Sequence, residues 1–72
     1  GIGRYLLAVW WAARSQRADL SQAERAQGRQ HALEFLEQAF RGNFKAYERV
    51  EQEPAFEAFR EDPRYMAVMR GA

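Results

Sequence analysis

Residues Glu53–Met69 read EPAFEAFREDPRYMAVM, and one short pattern occurs in them twice. Glu53-Pro54-Ala55-Phe56 is answered nine residues later by Asp62-Pro63-Arg64-Tyr65. In each, a carboxylate precedes a proline and an aromatic follows two residues on. A carboxylate at this position caps free backbone amides, and a proline at the first helical position gives up an N–H that had no partner. The spacing therefore predicts two very short helices. Helices of two turns do not hold in water unaided, so Phe56, Phe59, Tyr65, Val68 and Met69 must rest on something larger.

That larger body lies upstream. Residues 2–17 predict a helix in which Tyr5 to Ala13 are apolar without interruption. A helix apolar all round is covered on more than one side. Either a partner covers one flank of Trp10–Trp11, or one tryptophan is core and the other half-exposed. Ala18-Asp19-Leu20-Ser21 is the connection, and Ser21-Gln22-Ala23-Glu24 fits a capping box, with Asp19 to Gln22 fitting almost as well. A second helix should run from there to about Arg41, with Gly42 as its stop. Its first half is poor in apolar groups and carries Gly28, which predicts little burial there. Its second half has Ala32, Leu33, Phe35, Leu36, Ala39 and Phe40 at helical spacing. Asn43 is placed to cap a third helix over residues 44–52, with Phe44, Tyr47 and Val50 on one face.

Composition agrees with an all-α fold. Only Ile2, Val9, Val50 and Val68 are β-branched, threonine is absent, and Ala, Gln, Glu and Arg dominate. Seventy-two residues make one domain with a small core. With no cysteine and one histidine, neither a disulfide nor a structural zinc is expected. Missing those supports, the chain is expected to self-associate or to belong to something longer. The ten aromatics partly compensate.

Net charge is +1 but unevenly spread. Residues 1–31 hold five arginines against Asp19 and Glu24, a balance of +3; residues 32–72 hold six basic and eight acidic groups, a balance of −2. That falls short of a nucleic-acid-binding signature. The apolar run of residues 5–13 is too short to span a bilayer and has no cleavage site after it, so a cytoplasmic protein is expected.

Catalytic chemistry is poorly supplied. Ser15 and Ser21 are the only serines, Ser21 is engaged as a cap, and a triad needs more than one histidine can give. His31 and Glu34 are two potential ligands where a metal site needs more. Glu57 and Glu61 read as an exposed acidic face beside Arg60 and Arg64. We therefore expect no enzyme, no cofactor, no metal and no small-molecule substrate. Tyr5, Trp10, Trp11 and Phe44 are the candidate partner or self-association surface. Arg14, Arg17, Arg25 and Arg29 form a candidate basic patch around the first inter-helix turn, although an ordinary solvated tip with Asp19 and Glu24 interleaved is the favoured reading.

With the helices placed, the chain resembles the tetratricopeptide repeat. Leu7-Ala8 and Trp11 on one helix, then Ala32, Leu36 and Ala39 on the next, match its pattern of small and large residues. Val50, Glu53-Pro54, Phe56, Phe59-Arg60, Asp62-Pro63, Tyr65 and Met69 resemble the segment that closes tetratricopeptide arrays in large bacterial regulatory proteins, among them kinases and transcriptional regulators. The interval from Trp11 to Ala32 is about a dozen residues longer than an ordinary repeat has, and Gly42 stands where a proline would follow the second helix. The resemblance implies two long antiparallel helices capped by two or three short ones, and a C-terminal piece of a longer array, since one repeat cannot bury its own faces. It implies a non-enzymatic interaction or scaffold module that binds a protein partner or a second copy. The alternatives are a nucleic-acid-binding domain using the arginine-rich tip, which the charge balance disfavours, and an accessory domain of a larger kinase-like protein.

Overall fold

A computed structural model describes residues 2–42 and 47–71 of the chain. Helices account for nearly all of it, in the order α1 (Ile2–Arg14), α2 (Gln22–Arg41), α3 (Tyr47–Gln52), a 3-10 helix (Pro54–Phe59) and α4 (Pro63–Gly71). No strand occurs among the described residues. The fold is all-α. Asn43, the expected cap of the third helix, and Phe44 lie outside the described residues.

α1 is shorter than its apolar run predicts. It stops at Arg14, three residues before the expected end. The cause sits at the carbonyl of Ala12, which in a longer helix would accept from the backbone N–H of Gln16. It accepts instead from the Ser15 hydroxyl at 2.7 Å and from the Gln16 side-chain amide at 3.1 Å. The Gln16 and Arg17 amides turn back to Ala13 and Arg14, tightening the chain to a 3-10 pattern before it leaves the axis. A serine hydroxyl competing with the backbone ladder is the physical stop.

α2 begins where the capping box predicts. The Glu24 amide donates to the Ser21 hydroxyl oxygen at 3.1 Å, and the Ser21 amide donates to the Glu24 carboxylate at 2.9 Å. At its other end the Gly42 amide donates to the carbonyls of Gln38 and Ala39. Gly42 has φ −80°, so the stop uses no left-handed turn and no special freedom of glycine.

α1 and α2 lie side by side in opposite senses. Arg4 bonds Gln38, the Trp11 ring meets the His31 ring at 4.7 Å, and Ser15 lies against Gly28. Small residues let them close in: Ala8, Ala12, Ala32 and Ala39 have no solvent exposure. Gly28 extends this contact into the half of α2 that was expected to project with little burial. It is buried, and a Cβ built on it would stand 3.0 Å from that of Ser15. Leu33, Leu36 and Phe40 fill the space beyond, together with Tyr5 from α1.

The tail packs against this pair. The 3-10 helix packs on α1 and α3, and α4 packs on α2. Its two starts use the doubled motif as read from the sequence. The Ala55 amide donates to the Glu53 carboxylate at 3.3 Å, and the Arg64 amide to the Asp62 carboxylate at 2.8 Å. Phe56 and Phe59, both fully buried, meet edge to face at 5.6 Å, and Tyr65 lies over Phe56 at 6.1 Å. Gln16 ties the tail back to the first turn by donating to the Ala55 carbonyl at 2.7 Å.

Two substitutions check this packing. Gly28→Val inserts a branched side chain where even a methyl is tight, so it should cost about 1–3 kcal/mol in chemical denaturation. Phe56→Ala should cost about 3–5 kcal/mol, an amount comparable with the whole stability of a domain this size, and leave the chain largely unfolded by circular dichroism.

Candidate interaction surface

The 3.6-residue period sorts the apolar run of α1 into two faces. Tyr5, Ala8 and Ala12 point inward and are buried. Leu6, Leu7 and Trp10 point outward, with 59%, 45% and 56% of their surface exposed. The helix is thus covered along one side and bare along the other. Tyr5 belongs to the core, not to the surface where it was expected, because it shares the inward face with Ala8 and Ala12. Trp10, expected on the partner surface, does face solvent, and Leu7 lies beside it. Trp11 is intermediate, packed on the core and against His31. Leu6 was not singled out from the sequence; projecting the run on a helical wheel with Ala8 and Ala12 inward would have exposed it.

Beside this face a cleft of about 300 Å³ opens between α1 and α2, lined by Trp10, Trp11, Arg14, Glu24, Gln27 and His31. The two indoles meet nearly perpendicular at 4.9 Å, and the Arg14 guanidinium stands 5.9 and 5.8 Å from their centres. The cleft holds polar groups already engaged: Glu24 closes the capping box, and His31 Nδ1 faces Glu34 at 3.8 Å. Among the described residues, no three His, Cys, Asp or Glu side chains converge in a way that would hold a metal ion. Ser15 donates its hydroxyl hydrogen to the Ala12 carbonyl. A second groove of about 310 Å³ lies between α3 and α4, lined by Glu51, Tyr65, Met66, Met69 and Arg70; sequence reasoning missed it.

The arginines of the candidate basic patch are largely committed. Arg17 holds both carboxylate oxygens of Asp19 at 2.8 and 3.0 Å. Arg25 donates to the carbonyls of Arg17 and Ala18, each at 3.1 Å, and so fastens the turn between α1 and α2. Arg29 is drawn away to the tail, where it bonds Asp62 at 2.9 Å and lies 4.4 Å over the Phe59 ring. Among the described residues of the tip, Arg14 and Arg25 have no carboxylate within ion-pair distance, and Arg25 spends its donors on backbone carbonyls. The four do not make one continuous basic surface.

Asp62 thus serves two elements, starting α4 with one oxygen and anchoring α2 with the other. Burial alone pushes its carboxyl up. The Arg29 guanidinium and the amides of Arg64 and Tyr65 outweigh that and hold it below the ordinary carboxylate range. A carboxylate depressed in the folded state adds stability above its unfolded value, and that stability disappears as pH falls through the folded value.

No helix of the described chain is long and apolar enough to cross a membrane. Compared with protein-family models, curated proteins and solved structures, the chain gives no match.

Asp62→Asn should lower stability by about 1 kcal/mol at neutral pH, through loss of the charged bond to Arg29, since asparagine caps a helix about as well as aspartate. The gap in melting temperature between the two proteins should begin to narrow as pH falls through the ordinary carboxylate value of about 4 and should close only at lower pH, once the depressed native carboxyl has protonated as well. Thermal melts of both proteins between neutral and acid pH measure the two curves.

Proposed function

We propose that the chain is a non-enzymatic helical protein-interaction module, acting in the cytoplasm and organised like the closing part of a bacterial tetratricopeptide array. In this reading α1 and α2 are the repeat's antiparallel hairpin. The 3-10 helix and α4 are the seal over one side of it. The alanines at the contact between the two helices and the doubled acidic-Pro-x-aromatic tail support the likeness. The commitment of Ser15, Ser21 and Glu24 to backbone bonds supports a structural use of side chains that could otherwise take part in chemistry.

One observation carries the proposal. Leu6, Leu7 and Trp10 form an exposed apolar face on a helix whose opposite side is fully packed. Single exposed apolar residues are ordinary, but three adjoining ones with an indole at the end are the composition of a contact surface. A protein partner, or a second copy, covers them.

Titration with a synthetic amphipathic helical peptide tests this, with tryptophan emission as the signal. The wild type should show a saturable blue shift. Leu6→Ser combined with Leu7→Ser should weaken binding at least about tenfold, some 1.4 kcal/mol. Both side chains are exposed, so the helical circular dichroism should not change. A wild type that binds no apolar helix at all would refute the reading.

A further inference from the structure

Resting on that reading, we propose that the occupant of the α1 face is a second copy of this chain, with the two α1 helices running in opposite directions about a two-fold axis between Leu6 and Leu7. The spacing of the face leads to this. Gly3, Leu6, Leu7 and Trp10 recur at intervals of three and four residues, so they share one side of the helix. An axis between positions 6 and 7 sets Leu6 of each copy against Leu7 of the other. Positions 3 and 10 are equally far from that axis, so Trp10 of each copy falls over Gly3 of the other.

This arrangement places the bulkiest side chain of the face over the smallest. A Cβ built at Gly3 meets no atom within 4 Å, so that end of α1 is open to receive an indole. Parallel pairing would instead stack Trp10 on Trp10 and leave a gap at Gly3.

Area is consistent with the same occupant. The exposed parts of Leu6, Leu7 and Trp10 amount to on the order of 300 Å² per copy. With Gly3, Arg4, Ala13 and Arg14 at the flanks, the pair approaches the ~1,000 Å² of the smallest specific interfaces. The dimer is therefore weak and reversible. α1 carries Arg4 and Arg14 and no acidic residue. In the two-fold pair Arg4 comes level with Val9 of the other copy. In the single chain Arg4 bonds only the neutral amide of Gln38.

The chain has no cysteine, so single introduced cysteines report the geometry cleanly. Under mild oxidation Leu6→Cys should form a disulfide-linked dimer. Ala13→Cys should not, because two copies of that position lie about 20 Å apart along the helices. Gly3→Leu is the sharper variant. It has open space in the single chain, so helical content should hold or rise, while sedimentation equilibrium should show dimerisation weakened at least tenfold. A wild type that stays monomeric at high micromolar concentration would overturn the proposal. So would Gly3→Leu associating as the wild type does, or Ala13→Cys cross-linking as readily as Leu6→Cys. A monomeric wild type that still binds an amphipathic peptide through its Leu6–Trp10 face removes the second copy and leaves the interaction module standing. A wild type that does neither removes both.

Discussion

Everything in this fold depends on how closely α1 and α2 approach each other. The approach is set by residues that contribute almost no bulk: Ala8 and Ala12 on one helix, Gly28, Ala32 and Ala39 on the other. With the backbones drawn together, the few large aliphatic side chains suffice to fill what remains, and Leu36 is completely enclosed. A chain of 72 residues has little else to use. Buried apolar area grows slowly at this size, so the close helix contact compensates for a core with few layers.

The tail then completes what two helices cannot close. Phe56 and Phe59 are fully enclosed although they sit on a six-residue 3-10 helix, a conformation with poor hydrogen-bond geometry and no independent stability. They stay in place through covalent neighbours at both ends, with Glu53 capping the start and Gln16 reaching over from the first turn. Aromatic mass stands in for length. The arginines act in the same direction: Arg25 and Arg29 spend their donors on the inter-helix turn and the tail, and so join segments far apart in sequence.

Much of this was legible in the sequence, and the reasons are local. The capping box at Ser21 and Glu24 and the two acidic-proline starts are encoded within four residues each, so they survive folding unchanged. The stripe from Ala32 to Phe40 was legible because its period is unambiguous. Three features were hidden, two because they depend on residues distant in sequence and one, the end of α1, because a serine that stops a helix looks in sequence like one that continues it. Gly28 reads as a helix weakness until Ser15 is placed opposite it. The end of α1 reads as Arg17 until the Ser15 hydroxyl takes the Ala12 carbonyl. The uninterrupted apolar run of α1 gives no phase of its own; only α2 and the 3-10 helix decide that Tyr5 goes in and Leu6 and Trp10 go out. The arginines stood as a candidate patch because their positive charge is visible in one dimension, while the acceptors of Arg25 and Arg29, two backbone carbonyls and Asp62, are not.

The double use of Asp62 has a consequence for how the molecule opens. One oxygen holds the first turn of α4 and the other holds Arg29 in the middle of α2. Fraying of the C-terminal helix cannot proceed through its first turn without releasing that arginine from the Phe59 ring as well. The amide protons at the start of α4 and those of the 3-10 helix should therefore exchange with solvent deuterium as one cooperative unit, at a common rate, and not in order of their distance from the chain end.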